Sequence, residues 1–215
     1  MTEKKEPITF LIGDDHNIVR QGLQLIIDDN FDDVIIYNAS SLQQIIQQTK
    51  KNKIDIAILD AQFPDGNCIS IISELKQIVP TCKILIFTSF EEDNYALKFI
   101  DAGADGFLNK LSNEAEIQQA IIEIHETGKY ASALTKKLLA IKEYNPVLLN
   151  PFGLLSEREM QIARLYAKGL GNLEIANTLN LRQNTISTFK KRIFEKLNIT
   201  TIVDLIELMK IHIDL

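Results

Sequence analysis

Residues 54–66 read IDIAILDAQFPDG, an apolar run that ends in Asp60 and is followed by the turn-forming sequence PDG. A short, nearly continuous apolar run that is bounded by turn residues is typical of a strand buried on both faces. We therefore predict a strand over Ile54–Asp60. Such strands belong to parallel sheets with helices on both sides, so this segment also predicts the class of fold.

Four more short runs rich in β-branched residues flank this segment, and amphipathic stretches separate them. The predicted strands are Ile8–Gly13, Val34–Ala39, Lys83–Thr88 and Gly106–Asn109. Between strands, apolar residues recur at helical spacing, as at Val19, Leu23, Ile26 and Ile27. Five β-α units with right-handed crossovers predict an α/β doubly wound, five-stranded parallel sheet, with a ligand site at the carboxyl ends of its strands.

Length and composition indicate one medium-sized domain plus one small domain. The 215 residues are 46% hydrophobic and 24% charged, as in ordinary folded proteins. No apolar run approaches the roughly 18 residues of a membrane span, and MTEKKEPITF lacks a signal-peptide core, so we expect a cytoplasmic protein without a membrane partner. Cys68 and Cys82 are too few for a disulfide scaffold and are expected to be reduced packing residues.

The charge differs between the two parts of the chain. Residues 1–149 contain 14 Lys/Arg and 22 Asp/Glu, a net charge of -8, whereas residues 150–215 contain 9 and 7, a net charge of +2. Because an acidic domain repels nucleic acid, DNA binding is expected only from the C-terminal part.

Prolines predict the division between the domains. Tyr144-Asn145-Pro146 and Asn150-Pro151 bias the chain away from helix. The predicted domains are 7–127, a linker over 128–153 that includes a short helix near Ala133–Ile141, and a helical domain over 154–215.

Polar residues cluster at the predicted strand ends. Asp14 and Asp15 follow the first strand, Asp60 ends the third, Thr88 ends the fourth, and Lys110 follows the fifth. In a parallel sheet they converge on one edge, where three carboxylates repel one another unless a cation joins them. Hard oxygen ligands of this kind suit Mg²⁺. Helix capping is the alternative role for any single aspartate, but it does not account for all five residues.

Four short helices are predicted in the C-terminal domain. Ser156 and Glu159 form a capping box that starts the first helix, and Gly169 ends it. Asn172 is predicted to cap the second helix, and the last helix is predicted from Thr201 to about Ile211.

The third helix, predicted over Gln183–Leu197, has two different faces. Ile186, Ile193 and Leu197 share an apolar arc. The opposite arc is polar and holds Asn184, Ser187, Thr188, Lys191, Arg192 and Glu195. This mixture of hydrogen-bonding and basic groups suits the major groove of DNA, although an ordinary solvated helix face has a similar composition.

The motifs of the first domain resemble those of a known family. GDDH at 13–16, LD at 59–60, FPDG at 63–66, FTS at 87–89 and GFLNK at 106–110 resemble the receiver domain of two-component response regulators. This resemblance covers about residues 7–127 and implies a flavodoxin-like fold. It also implies that Asp60 accepts a phosphoryl group from a sensor histidine kinase.

The resemblance implies roles for the remaining site residues. Mg²⁺ would be held by Asp14, Asp15, Asp60 and the backbone carbonyl of Gln62. Lys110 would contact the phosphoryl oxygens, Thr88 would hydrogen-bond the acyl phosphate, and Phe107 would be the switch aromatic, unless it is a plain core residue. A magnesium-dependent phosphatase on a related sheet is the enzymatic alternative. It is disfavoured because Ala61-Gln62 follows Asp60 where an Asp-x-Asp signature is expected.

The motifs of the second domain also resemble a family. LSERE at 155–159, GLGN at 169–172, EIA at 174–176, TIS at 185–187 and KL at 196–197 resemble the LuxR-type helix-turn-helix. With the receiver domain, this resemblance identifies the NarL/FixJ class. Gly171, Leu173 and Phe189 depart from its frequent residues, and the lack of a basic side chain at 173 removes one expected phosphate contact.

Together these features predict a transcription regulator, not an enzyme. Phosphorylation at Asp60 would favour a homodimer that binds DNA through the third helix. Ser187, Thr188 and Lys191 would lie nearest the bases, with Thr185, Lys190 and Arg192 toward phosphates. The alternative is an orphan DNA-binding regulator that works without phosphorylation.

Overall fold

The computed structural model describes residues 6–144 and 151–212, and the side chains as far as residue 209. The chain divides into two compact units, Met1–Lys137 and Leu138–Leu215. Of the predicted linker, residues 145–150 lie outside the described part.

The first unit contains a parallel sheet and its flanking helices. The strands are β1 (Ile8–Gly13), β2 (Val34–Ala39), β3 (Ile56–Leu59), β4 (Gln62–Phe63), β5 (Gly66–Asn67), β6 (Lys83–Thr88) and β7 (Gly106–Asn109). The helices of this unit are α1 (Asn17–Asn30), α2 (Leu42–Lys51), α3 (Ile69–Ile78), α4 (Glu92–Asp101) and α5 (Glu114–Thr127). The next helix, α6 (Ala133–Tyr144), includes the boundary between the units at Lys137. Five strands form the parallel sheet in the order β2-β1-β3-β6-β7, which confirms the predicted fold class.

Strand β3 is apolar throughout, and β1 and β6 are mostly apolar, because helices cover both faces of the sheet. Leu11 of β1 packs into one hydrophobic cluster, whereas its neighbours Phe10 and Ile12 pack into a second cluster. Since successive side chains of a strand point to opposite faces, both clusters are needed to bury one strand. The same arrangement brings the carboxyl ends of β1, β3, β6 and β7 to one edge.

The structure corrects the predicted strand at Ile54–Asp60. Strand β3 is limited to Ile56–Leu59, and Asp60 lies just beyond it. There the Asp60 side chain accepts a hydrogen bond from the Ala61 amide, and the chain turns into a two-residue antiparallel hairpin, β4-β5. The hairpin was not predicted, although its turn contains the PDG sequence that favours one.

Asp65 fixes the position of that hairpin turn. Its carboxylate accepts hydrogen bonds from the backbone amides of Leu42 and Gln43 at 3.0 and 3.2 Å, at the start of α2. The hydrogen bond from Leu42 is the main cause of a lowered pKa of Asp65. A negative charge at a helix N-terminus is favourable, so the turn and α2 stabilise each other.

The second unit is helical, as predicted. After a 3₁₀ turn at Pro151–Leu154 come α7 (Glu157–Ala167), α8 (Asn172–Leu179), α9 (Gln183–Leu197) and α10 (Ile202–His212). Its core is a cluster of buried side chains from all four helices, which includes Ile162, Ile175, Ile186, Ile193 and Leu205.

Local signals set most of the helix ends in this unit. Ser156 and Glu159 form the predicted capping box, and Gly169 has a positive φ of 86° just beyond the end of α7. The prediction that Asn172 caps α8 was wrong. The cap position is Gly171, whose amide donates to Glu174 Oε2 at 2.7 Å. The side chain of Asn172 instead contacts Tyr166 and Ser187.

Within the part of the chain that the structure describes, no helix combines the length and the apolar character that crossing a membrane requires. Cys68 and Cys82 are both buried and unpaired with each other, and burial raises the pKa of each thiol.

Candidate metal centre and nucleic-acid interface

An acidic cluster lies at the carboxyl edge of the sheet. Asp14, Asp15, His16 and Asp60 each offer one ligand atom, and these atoms all lie within 4.8 Å of one another. Gly13 pairs with Leu59 across β1 and β3, so Asp14 and Asp60 leave the sheet side by side. Asp14 is 1% exposed and Asp60 is 7% exposed, whereas Asp15 and His16 are exposed.

Lys110 bridges the two buried carboxylates of this cluster. Its Nζ atom lies 2.6 Å from Asp14 Oδ2 and 2.7 Å from Asp60 Oδ2. Burial on its own would lower the pKa of Lys110. The contacts with Asp14 and Asp60 have the opposite and larger effect, so the pKa is raised above its ordinary value. The ammonium group is therefore charged at neutral pH and compensates two carboxylates that would otherwise repel each other.

One carboxylate oxygen of this cluster, Asp14 Oδ2, is available to coordinate a metal ion. Among the described residues, Asp14 Oδ2 is a buried oxygen that accepts no hydrogen bond. Its close partner is the Lys110 ammonium group, at 2.6 Å. A buried carboxylate oxygen without a hydrogen bond, beside two further carboxylates, fits a hard divalent cation.

The loop after β1 fixes the acidic pair. Asp14 Oδ1 accepts a hydrogen bond from the His16 amide at 2.8 Å, and His16 Nδ1 lies 2.8 Å from Asp15 Oδ1. Arg20 Nη1 donates to the backbone carbonyl of Asp14 at 2.6 Å. Arg20 was not identified from the sequence, because nothing in its spacing from the aspartates indicates that its side chain turns back on this loop.

The other predicted residues of this site lie nearby in the sheet. Thr88 is 1% exposed at the end of β6, and its Oγ1 accepts a hydrogen bond from the Phe90 amide at 3.4 Å. Phe107 is fully buried, with its ring centroid 6.0 Å from that of Phe99. Gln62 is exposed and stands two residues beyond Asp60 in the β4-β5 hairpin.

Asn109 is a second residue that sequence reasoning missed. Its side-chain Nδ2 donates to the Phe90 carbonyl and its Oδ1 accepts from the Leu111 amide, both at 2.8 Å. It ends β7 immediately before Lys110. The sequence offers only a weak signal, since an asparagine at a strand end indicates a turn but not its partner.

The exposed face of α9 holds the predicted nucleic-acid contacts. Asn184, Ser187, Thr188, Lys191 and Arg192 are exposed, whereas Thr185 and Lys190 are half-buried. A nearby acid restrains the exposed lysine only weakly, because Lys191 Nζ lies 3.8 Å from Glu195 and both side chains are mostly in solvent.

Some of these polar groups already have partners within the domain. Ser187 Oγ donates to the Gln183 carbonyl at 3.2 Å and accepts from Asn172 Nδ2 at 3.1 Å. Lys190 Nζ lies 5.2 Å from the ring centroid of Phe194 and 5.8 Å from that of Tyr166. The aromatic rings hold the stem of Lys190 against the domain, so its ammonium group has a restricted reach.

An ion pair between a buried carboxylate and a partly exposed lysine holds α9 against the start of α7. Lys196 Nζ lies 2.6 Å from Glu159 Oε2, and the same oxygen accepts from the Ser156 amide at 2.8 Å. Burial raises the pKa of Glu159, but hydrogen bonds from Lys196 and Ser156 outweigh it, and the pKa is lowered. This contact fixes the orientation of the helix that carries the candidate interface.

Comparison with known families matches both parts of the chain. Residues 10–122 match the family model of the response regulator receiver domain, and residues 153–209 match that of bacterial regulatory proteins of the luxR family. The first match alone covers more than half of the chain.

Two relatives match the chain over nearly its whole length. The response regulator GacA of Pseudomonas viridiflava is 32% identical over 199 residues, which cover 92% of this chain and 93% of the relative. The response regulator UvrY of Escherichia coli (strain K12) is 29% identical over 206 residues, which cover 95% of this chain and 94% of the relative.

Solved structures share the fold. The RcsB response regulator of Salmonella typhimurium matches with a TM-score of 0.75 at 23% identity, over 94% of this chain and 99% of that chain. RcsB in a complex with DNA matches with a TM-score of 0.69 at 22% identity, over 95% and 98%. The chain therefore belongs to the response regulators of the NarL/FixJ class, which join a receiver domain to a LuxR-type helix-turn-helix domain.

Proposed function

We propose that Asp60 accepts a phosphoryl group from a sensor histidine kinase, and that this modification controls binding of α9 to DNA and thereby transcription. The observation that carries the proposal is the Lys110 ammonium group between the buried carboxylates of Asp14 and Asp60. In this reading residues 7–127 form the phosphoacceptor domain, 128–153 the linker and 154–215 the DNA-binding domain. The chain acts as a cytoplasmic regulator and not as an enzyme with its own substrate.

Asp60 is the nucleophile in the proposed transfer. A carboxylate oxygen of Asp60 forms a bond to phosphorus while the bond from phosphorus to the kinase histidine nitrogen breaks, and the electron pair stays on that nitrogen. Lys110 is already 2.7 Å from Asp60 Oδ2, so its charge is in place to stabilise the phosphoryl oxygens. The Thr88 hydroxyl would then donate a hydrogen bond to the acyl phosphate, while Phe107 responds to the movement of Thr88.

The carboxylates of Asp14, Asp15 and Asp60 and the backbone carbonyl of Gln62 would hold Mg²⁺. When bound, Mg²⁺ neutralises negative charge on the transferring group, as metal ions do in phosphoryl transfer. The buried Asp14 Oδ2, which accepts no hydrogen bond among the described residues, supports this assignment.

The phosphoacceptor is tested by incubation with acetyl phosphate and Mg²⁺, followed by intact-mass measurement. The wild-type chain should gain one phosphate, and Asp60→Asn should gain none. Asp29→Asn is the matched control, because Asp29 is an exposed aspartate on α1 outside the acidic cluster and should leave labelling unchanged. Labelling of Asp60→Asn at the wild-type rate would contradict the assignment.

The exposed face of α9 is proposed to enter the major groove. Ser187, Thr188 and Lys191 would lie nearest the bases, and Thr185, Lys190 and Arg192 would lie toward phosphates. Asn184 belongs to the same proposed DNA-binding face. The exposure of Lys191 supports its role, and RcsB, which shares the fold, has been solved in complexes with DNA.

Lys191→Ala separates base readout from phosphate contact. Loss of a base contact should lower discrimination at one position by about 1–3 kcal/mol, whereas loss of a phosphate contact should weaken all sequences and lower the salt slope by roughly one unit. Lys168→Ala is the control, since Lys168 is an exposed lysine of the same domain, just after the end of α7. Unchanged affinity and salt dependence in Lys191→Ala would exclude α9 as the reader.

Phosphorylation is further proposed to favour a homodimer on two adjacent half-sites. A small domain that reads a few base pairs gains most of its specificity when two copies are linked. Sedimentation with beryllofluoride, a phosphate analogue, should show a doubled mass on DNA. A mass that stays monomeric both in solution and on DNA would rule out the dimer. DNA binding by Asp60→Asn that equals the phosphorylated wild type would instead indicate an orphan regulator.

A further inference from the structure

The carboxamide of Asn109 connects the loop that follows Thr88 with the loop that begins at Lys110. One hydrogen bond, from Nδ2 to the Phe90 carbonyl, holds the loop between β6 and α4. The other, from the Leu111 amide to Oδ1, holds the backbone immediately after Lys110. Both bonds measure 2.8 Å, a normal length for a well-formed hydrogen bond. A single side chain therefore restrains both loops.

The Asn109 side chain joins the two chains just beyond the last backbone hydrogen bond between β6 and β7. Thr88 pairs with Asn109 across β6 and β7, and the Lys110 amide donates to the Thr88 carbonyl at 2.8 Å. Beyond that bond the two chains diverge into separate loops. The Asn109 side chain then reaches across to Phe90, two residues past Thr88.

The link also affects the Thr88 hydroxyl. Thr88 Oγ1 accepts a hydrogen bond from the Phe90 amide at 3.4 Å, which is long enough to be weak. Because Asn109 binds the carbonyl of the same residue, it holds the Phe90 backbone near Thr88. A weakly bound hydroxyl on a fixed loop can turn toward Asp60 without a large loss of hydrogen-bond energy.

We propose that Asn109 is a positioning residue for phosphoryl transfer, which holds Lys110 and Thr88 in fixed relative positions so that both reach the phosphoryl group together. The inference rests on the function proposed for Asp60. When two side chains act on the same transferred phosphoryl group, a fixed geometry between them increases the rate of transfer. Small displacements of either side chain lower that rate strongly. The proposed metal ligands belong to other loops, and a displaced Lys110 removes a positive charge beside Asp14 and Asp60, so the affinity for Mg²⁺ should not fall when Asn109 is replaced.

Two substitutions of Asn109 separate the two hydrogen bonds. Asn109→Ala removes both, whereas Asn109→Ser keeps a short acceptor for the Leu111 amide but is too short to reach the Phe90 carbonyl. Asn94→Ala is the matched control. The Asn94 carboxamide also donates one 2.8 Å hydrogen bond, to Glu91, but it lies on the exposed side of α4.

The full-length variants are compared by three measurements. The limiting rate of Asp60 phosphorylation at saturating acetyl phosphate should fall about tenfold in both Asn109 variants, as expected for lost orientation of catalytic groups. The dissociation constant for Mg²⁺, measured by calorimetry without a phosphoryl donor, should not rise by more than about twofold, since no proposed metal ligand is moved and a displaced Lys110 only removes positive charge beside Asp14 and Asp60. Asn94→Ala should match wild type in both.

Circular dichroism shows whether each variant is folded. Wild-type limiting rates in both Asn109 variants would overturn the proposal. A loss of Mg²⁺ affinity that parallels the loss of rate would also overturn the proposal, because Asn109 would then only support the fold of the site. Failure of the underlying function is distinguishable: the wild-type chain would take up no phosphate, or Asp60→Asn would take it up.

Discussion

Replacing Glu159 by glutamine should loosen the helix-turn-helix domain, because the buried carboxylate is the shared acceptor between α7 and α9. Glu159 Oε2 accepts from the Ser156 amide, the Ser156 hydroxyl and Lys196 Nζ at 2.8, 3.0 and 2.6 Å. The carboxylate side chain is 5% exposed, whereas that of Lys196 is 40% exposed. Glutamine keeps the shape of the side chain and removes its charge.

The expected loss of stability in Glu159→Gln follows from these contacts. A hydrogen bond to a charged group contributes about 1.5–3 kcal/mol and a neutral one about 0.5–1.5 kcal/mol, so each bond should lose about 1 kcal/mol. The bonds from the Ser156 amide and the Ser156 hydroxyl should each lose about this amount. The Lys196 contact should lose less, because a half-exposed ammonium group recovers hydration. We therefore expect the free energy of unfolding to fall by about 2 kcal/mol, roughly a 30-fold change in the folding equilibrium.

Hydrogen exchange with mass spectrometry is a suitable assay, since the chain has no tryptophan to report unfolding by fluorescence. Protected amides of α7 and α9 should exchange roughly 30-fold faster in Glu159→Gln if they exchange by unfolding of this domain. Glu195→Gln is the matched control on α9, and its exposed 3.8 Å pair with Lys191 predicts a change below about 0.5 kcal/mol. Equal exchange in the two variants would refute the reasoning.

The same contact predicts a pH dependence of stability. The pKa of Glu159 is lowered from its ordinary value of 4.5. A carboxylate with a lowered folded pKa stabilises the protein above its unfolded pKa, and this contribution is lost as the pH falls through the folded value. Wild type should therefore lose its advantage over Glu159→Gln below pH 4.5. An advantage that stays constant through that acidic range would contradict the assignment.

Gly106→Ala should destabilise the receiver domain by about 1–3 kcal/mol, as an overpacked site does, because a Cβ there would lie 3.1 Å from the Tyr130 carbonyl oxygen. Thermal unfolding measures this, with Gly22→Ala as the control, since nothing lies within 4 Å of its Cβ position and a helical alanine should stabilise slightly. Glu92→Ala should speed amide exchange at the start of α6, because Glu92 accepts a 2.5 Å hydrogen bond from buried Thr135. Unchanged exchange in that segment would show that Glu92 does not hold the helix.

Local sequence patterns determined most elements of this chain. The bounds predicted for β1, β2, β6, β7 and α9 agree with the structure. These elements have a clear apolar periodicity and distinct end signals, so the information lies within each segment. The prediction was less accurate where a side chain outside the pattern decides the outcome. Strand β3 is shorter than Ile54–Asp60, and α8 begins at Asn172 instead of being capped by it.

The predicted sheet topology allowed the acidic site to be predicted from the sequence. Once the strands were assigned to a parallel sheet, the residues at their carboxyl ends had to meet at one edge. The sequence could therefore group Asp14, Asp60, Thr88 and Lys110, although Asp60 and Lys110 are 50 residues apart. Family resemblance supplied the roles of these residues, which the grouping alone leaves open.

Only the tertiary structure revealed the contacts that fix these groups in place. Arg20 on the Asp14 carbonyl and Asn109 on the Phe90 carbonyl depend on the direction of one side chain toward a backbone atom. The Glu159–Lys196 pair joins residues 37 apart on different helices. Periodicity determines which face of an element is buried, because burial repeats along it. A single polar contact has no such repeat, so its partner is decided only when the elements have packed.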